Sequence, residues 1–295
     1  MNGPRTVLVG IDFGGAGADA ATWAAMHLGP DRVILGHVVN FPPLSSFLAV
    51  QSGMEDLIRT RLMEDAQTRI EALARELTAD VGVPFEGDVR LGVDIAATLG
   101  EMANEHDADL IALGPHDRRK GGWNLLGTIP SRVLRSTKRP TLIVRGAHGD
   151  APRRVLAAVD DSEVSAHVLD WLAWTTDTLG AEGAALHVVD YPLRDFIPQP
   201  ADHDASRFEE QADEWLRQRL TEAGLGDSCE ARVAVGEPEV EILAFARRLR
   251  IDLLIMGTRG AGALGRFLLG TVAQSVARKA SCPVLLVPAK GAEPS

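Results

Sequence analysis

Apolar runs of strand length alternate along this chain with segments whose apolar positions fall three and four residues apart. The runs are Thr6 to Ile11, Val33 to Val39, Phe85 to Leu91, Ala108 to Leu113 and Thr141 to Val144, then Val155 to Val159, Gly183 to Val189, Glu230 to Val235, Asp252 to Met256 and Val284 to Val287. Helices are predicted over Ala20 to His27, Glu55 to Thr78 and Ile95 to Glu105. Further on they are predicted over Ser165 to Thr176, Ser206 to Glu222, Val240 to Leu249 and Val272 to Lys279. Charges on the two long central helices mark solvated faces.

The pattern occurs twice. Val7-Leu8-Val9-Gly10-Ile11 ends at Asp12, and Val155-Leu156-Ala157-Ala158-Val159 ends at Asp160. The next strand closes on His37-Val38-Val39 in one half and on His187-Val188-Val189 in the other, followed each time by a Pro-containing stretch. Such a match is an internal repeat. Arg145 to Pro152 has linker composition, which gives domains over residues 1–147 and 153–289. Near-continuously apolar strands alternating with helices require a parallel sheet covered on both faces. The expected fold is therefore α/β, two tandem doubly wound domains, each a five-stranded parallel sheet with helices on both faces. Ligands in such sheets bind at the carboxyl ends of the strands.

Composition narrows the function. At 45% hydrophobic the chain is globular, and its 295 residues suit two cores better than one. A net charge of −11 argues against a nucleic-acid partner, which needs a concentrated basic face. No apolar stretch reaches the roughly 18 residues that span a bilayer, and the N-terminus enters a strand without a signal region, so neither a membrane partner nor export is expected and the cytoplasm is the expected compartment. Cys229 and Cys282 are too few for a disulfide framework or a zinc site, and no metal ligands are expected.

The chemistry centres on GTRGAGALGRFLLGT, Gly257 to Thr271, between an apolar strand and a helix start. Gly257, Gly260, Gly262 and Gly265 let backbone approach a ligand, and a helix opening at Gly270-Thr271 offers unpaired N–H groups to an anion. Thr271 can cap that helix, with Gln274 in capping-box register. No Gly-Lys-Ser/Thr follows, so this is not a Walker loop. Gly15-Ala16-Gly17-Ala18-Asp19-Ala20 fits the dinucleotide fingerprint formally, but its second strand ends in Val38-Val39-Asn40, without the acid the ribose requires.

These residues resemble the universal stress protein family, a tandem of two family domains covering nearly the whole chain. Its ATP-binding members carry Gly, two residues, Gly, nine residues, Gly, then Ser or Thr, and Gly257, Gly260, Gly270 and Thr271 fit that spacing. The resemblance implies a Rossmann-like nucleotide-binding fold with ATP, with or without Mg, as cofactor. It puts Asp160 and Val188 on the adenine and ribose side, and the phosphates on backbone from Gly257, Gly260, Gly270, Thr271 and the adjoining Val272. Arg259 and Arg266 either neutralise phosphate or face water. It also implies an intramolecular pseudo-dimer of the two domains through the closing strands, with a further homodimer open.

The first half departs from the motif. Its counterparts Asp12, Val38, Gly114, Gly127 and Thr128 are present, but Asp117 replaces the second glycine, bringing a side chain and a negative charge toward phosphates. Pro130 removes an N–H from the first helical turn, while Arg118, Arg119 and Lys120 offset some charge. Nucleotide is accordingly expected mainly in the second half. Elsewhere, His37 and His187 read as core residues, Trp171 and Trp174 as packing, and Arg247-Arg248-Leu249-Arg250 as a solvated helix end. The reading is an ATP-binding regulatory or stress-protective protein. Its alternatives are a slow ATPase or nucleotidyl-transfer enzyme and a partner-binding module with a vestigial site. With no phosphate-loop Lys and no nucleophile–base pair recognisable by spacing, efficient catalysis is not expected.

Overall fold

A computed structural model describes residues 3–41, 54–115, 128–145, 150–190, 202–260 and 269–289. The chain divides into two compact units that part between Val144 and Arg145.

In the first unit the order is β1 (Thr6–Gly10), α1 (Ala16–Leu28), β2 (Arg32–Val39), α2 (Met54–Val81), β3 (Phe85–Leu91), α3 (Ile95–Glu105), β4 (Leu110–Leu113), α4 (Thr128–Ser136) and β5 (Thr141–Ile143). The second repeats it with β6 (Arg154–Val159), α5 (Val164–Leu179), β7 (Glu182–Val189), α6 (Asp202–Glu222), β8 (Cys229–Val235), α7 (Pro238–Arg248), β9 (Leu253–Gly257), α8 (Thr271–Lys279) and β10 (Val284–Val287). Gly226–Ser228 adds a 3₁₀ turn before β8. The strands lie in the order β3-β2-β1-β4-β5 in one unit and β8-β7-β6-β9-β10 in the other. Every pairing with a register is parallel. This is the doubly wound α/β fold expected from the pattern.

The central strands carry the cores. Leu8, Ile34, Leu35 and Ile111 are fully buried in the first unit, as are Leu156, Leu186 and Ile255 in the second, which explains their unbroken apolar runs. Each such side chain contributes about 1.5–3 kcal/mol of transfer free energy. The same carboxylate clamp fastens the first strand of both units: Asp109 Oδ2 accepts the Arg5 and Thr6 N–H groups at 2.8 and 3.0 Å, and Asp252 Oδ2 accepts those of Arg153 and Arg154 at 3.0 Å each. Gly29 (φ 57°) and Gly180 (φ 62°) end α1 and α5 in the left-handed conformation that glycine tolerates. Trp171 and Trp174 are buried edge to face at 5.5 Å, as packing residues.

Several boundaries differ from expectation. The helix α1 begins at Ala16, not Ala20, so Gly17 is helical rather than part of a loop. A Cβ at Gly17 would stand 2.9 Å from the Gly10 carbonyl oxygen; the glycine is there to let the helix lie on the strand. Thr271 is not the cap of α8. Gly270 is: its carbonyl accepts the Gln274 N–H, its own N–H is held by the Thr258 carbonyl at 2.8 Å, and as a glycine it has no side chain to cap with.

Candidate functional site

In each unit the chain runs outward from the first strand to the second and third, then returns to the other side. The carboxyl ends of β1 and β4, and of β6 and β9, therefore flank a crevice. In the second unit that crevice is a cavity of about 480 Å³. Its apolar part comes from Ala158, Leu186, Met256 and Ile242, on four separate elements. Asp160 and Ser165 line one side, Gly257 ends β9, and Arg259 and Gly260 follow it. Gly270, Thr271, Val272 and Ala273 bring in the start of α8. Val188 completes the wall: the β6–β7 ladder ends at the Val159–His187 pair, one residue short of it.

Two features polarise this cavity. At one side the first-turn N–H groups of α8 have no carbonyl a turn earlier to bond, and the helix dipole adds positive potential there. With the Gly270 N–H engaged by Thr258, the donors of this end are Thr271, Val272 and Ala273. At the other side stands Asp160. Its Oδ1 accepts from Ser162 N–H, Ser162 Oγ and Ser165 Oγ, so it anchors the turn into α5 without capping the helix, whose N-cap residue is Glu163. The roles of Ser162 and Ser165 are additional to the residues picked from the sequence, as are the apolar contributions of Pro238 and Ile242.

The histidines are half-buried and structural. His37 Nδ1 donates to the Ile11 carbonyl at 2.7 Å, and His187 Nδ1 to that of Val159 at 3.0 Å. Each thus ties the second strand to the residue just before the Asp. His37 packs on Phe13 and His187 on Trp215.

The first unit's cavity occupies the matching place but measures about 150 Å³. Asp12, Val38 and Gly114 line it together with Ile129 and Pro130; Thr128 begins α4 but is not among the lining residues. Its small size has local causes. A Cβ at Gly10 would lie 2.7 Å from Leu113 Cδ2 and 3.4 Å from Leu99 Cδ1, so leucines already cover the sheet there. A Cβ at Gly114 would lie 2.4 Å from the Ala16 carbonyl oxygen, because Gly17 lets α1 settle closely. In the second unit Val164 Cγ1 is the nearest atom to the same point on Gly257, at 2.9 Å. Pro130 sits two residues into α4, in the turn where Ala273 offers an N–H in α8. Asp117, Arg118, Arg119, Lys120, Gly127, Gly262, Gly265 and Arg266 lie outside the described residues.

Both cysteines are buried, and burial pushes each thiol up to about 12, so neither is a nucleophile at neutral pH. Among the described residues no His, Cys, Asp and Glu group has the arrangement of a metal site. No described helix is long and apolar enough to cross a membrane.

A repeated, doubly wound parallel sheet with a polarised crevice at the strand ends places the chain among the tandem doubly wound α/β proteins. The universal stress protein family model matches residues 3–145 and 152–288, and the chain belongs to that family as a tandem of two repeats. Among its relatives, the universal stress protein in the QAH/OAS sulfhydrylase 3′ region of Thermus aquaticus is 34% identical over 138 residues, 46% of this chain and 98% of that protein. Universal stress protein Rv2005c of Mycobacterium tuberculosis is 27% identical over 312 residues, 97% of this chain and 99% of the relative. The crystal structure of a universal stress protein from Archaeoglobus fulgidus matches the fold with a TM-score of 0.63 at 19% identity, covering 96% of this chain and 98% of that one.

Proposed function

We propose that the second unit binds an adenine nucleotide, ATP with or without Mg on its phosphates, and that the chain is a regulatory or stress-protective nucleotide-binding protein. The observation that carries this reading is the polarised cavity of about 480 Å³, within the range of small-molecule sites. Phosphates belong at the start of α8, where unpaired amides and the dipole favour an anion and Arg259 lines the wall. Base and ribose then extend toward Asp160 and Val188, the first accepting hydrogen bonds from hydroxyls and the second offering backbone groups.

The first unit's cavity of about 150 Å³ falls below that range, and Pro130 removes one helix donor, which supports one nucleotide per chain. Cavity and donors supply binding; the reading assigns no group to attack a phosphate. The test is mass spectrometry of whatever small molecule the purified, full-length protein releases on denaturation, paired with an ATP titration. An adenine nucleotide, or binding at micromolar ATP, is expected. Release of none together with no binding up to millimolar ATP would overturn the proposal. ATP turnover above about 1 per second, an ordinary enzymatic rate, would overturn its regulatory part.

A further inference from the structure

The amino ends of β6 and β9 lie at the opposite end of the second unit's sheet from the cavity. Five arginines gather there from two stretches of chain. Arg153 precedes β6 and Arg154 begins it, and Asp252 Oδ2 accepts the N–H groups of both. Arg247 and Arg248 close α7, Leu249 is its C-cap, and Arg250 follows. The Arg154 guanidinium joins the two stretches, donating from Nη1 to the Leu249 carbonyl at 3.2 Å. All five arginines are exposed.

Little neutralises them. Arg154 Nε stands 3.5 Å from the largely exposed Glu182 carboxylate. Among the described residues Arg153, Arg247, Arg248 and Arg250 form no ion pair, whereas Arg59, Arg69, Arg217 and Arg219 on the long helices each pair with a carboxylate of the same helix. The dipole of α7 favours cations at its end. It does not account for Arg153 and Arg154, which arrive with a strand, or for Arg250, whose φ of 51° is a left-handed conformation that a side chain disfavours.

The matching end of the first unit is built the same way and charged differently. Arg5 and Thr6 stand where Arg153 and Arg154 do, held by Asp109, and Arg5 is paired with Asp31 at 2.8 Å. Asn104, Glu105 and Asp107 stand where Arg247, Arg248 and Arg250 do, with Asp107 at φ 49° in the same left-handed turn. The fold therefore does not require the arginines.

We infer that the amino end of the second unit's sheet is a docking surface for an acid-rich segment of a partner protein. A guanidinium presents a planar fork of N–H donors that matches the two oxygens of a carboxylate. Arg248, laid over the Phe245 ring at 4.1 Å, leaves the edge of its fork to such a partner. Extent selects a peptide over larger polyanions. The chain carries a net charge of −11, so the arginines form a basic island. A nucleic-acid duplex or a lipid surface extends past the island and meets the acidic remainder, whereas a segment of a few Asp or Glu residues ends within it. The surface lies away from the cavity, so the inference stands whether or not that cavity holds a nucleotide.

The test is fluorescence anisotropy of the full-length protein with a labelled peptide of about ten glutamates, beside its glutamine counterpart, in about 0.05 M salt. The glutamate peptide is expected to bind and the glutamine peptide not to, with affinity falling at least about tenfold as salt rises to about 0.5 M. Arg247→Glu/Arg250→Glu should weaken the glutamate peptide by about tenfold or more, while Arg61→Glu/Arg75→Glu, an equal reversal on α2, should leave it within about twofold. Arg250→Gly removes one charge and suits the left-handed turn, so it should keep the fold and weaken the peptide by about threefold, which gives a second reading where the double reversal unfolds. No binding of the glutamate peptide at about millimolar protein, or binding that the arginine variants leave unchanged, would overturn the inference. A short DNA duplex or phosphatidylserine–phosphatidylcholine vesicles that bind more tightly than the peptide through the same arginines would overturn it too, since the partner would then be a polyanion of another class.

Discussion

Replacing Gly260 by Asp gives the second unit the residue that the first carries at position 117. The structure sets the scale of the effect. A Cβ at 260 stands 2.7 Å from Asp160 Oδ2, so a carboxylate on it cannot be accommodated without moving Asp160 and leaves two negative charges a few ångströms apart. At about 4 Å, unit charges repel by about 1 kcal/mol in water and about 4 kcal/mol at an effective dielectric of 20. Gly260 is exposed, so the lower part of that range applies to the repulsion between the new carboxylate and the nucleotide phosphates, and displacing Asp160 from the cavity wall costs a further hydrogen bond to the ligand, about 1 kcal/mol. A loss of about 1.5–3 kcal/mol corresponds to ATP binding weakened by about tenfold to hundredfold. Titration calorimetry of full-length Gly260→Asp measures it, with Gly260→Asn as a control of similar shape and no charge. The charged variant should recover part of its affinity relative to the Asn variant as salt rises from 0.05 to about 0.5 M, where screening lengths fall below 10 Å. ATP affinity of Gly260→Asp within twofold of wild type at low salt would refute the reasoning, and identical losses in the Asp and Asn variants would refute its electrostatic part.

Other outcomes follow from the same geometry. Asp252→Ala removes the acceptor of two backbone N–H groups on an exposed edge, where water substitutes, and should lower stability by about 1 kcal/mol in urea denaturation, with Asp109→Ala matching it; no shift in either midpoint would sink the clamp. Burial opposes ionisation of Asp88, but hydrogen bonds from Arg90 and His106 outweigh it and hold the carboxyl below its ordinary value. A lowered folded pKa means stability present above the unfolded value of about 3.9 and lost as pH falls through the folded one, so Asp88→Asn should flatten acid unfolding below about pH 5; an unchanged acid profile would contradict it. Cys229 and Cys282, both buried and raised to about 12, should resist a thiol-specific disulfide reagent at pH 8 until the protein is unfolded; rapid labelling of the native protein would count against their burial.

The strands were legible because a parallel sheet buries both faces: the runs around Leu8, Ile111, Leu156 and Ile255 are apolar at successive positions, and all four are fully buried. The repeat was legible because Asp12 and Asp160, and the two His-Val-Val endings, sit at matching strand ends. The start of α1 was not. Glycines signal a turn, but Gly17 serves a helix packed against the Gly10 carbonyl, a distance that no local pattern contains. Thr271 has the chemistry of a cap, yet the bond from Gly270 N–H to Thr258 fixes Gly270 as the last residue outside the helix.

The cavity was legible only in part. Asp160, Val188, Gly257, Arg259, Gly260, Gly270, Thr271 and Val272 all line it, but so do Leu186, Ile242 and Met256, which look like any core residues until three elements bring them to one crevice. Ser162 and Ser165 look like ordinary helix-start residues, and their hold on Asp160 depends on how the turn closes. The 150 Å³ of the first cavity depends on leucine rotamers and on how closely α1 approaches β4, neither of which is written in a motif.

The central claim is one nucleotide per chain, in the second unit. Calorimetric titration of ATP into the full-length protein, with Asp160→Ala and Asp12→Ala beside the wild type, measures both number and place. The account predicts a stoichiometry of one, a loss of about tenfold or more in affinity for Asp160→Ala and little change for Asp12→Ala. Two equivalent sites, or binding that survives Asp160→Ala and disappears with Asp12→Ala, would contradict it.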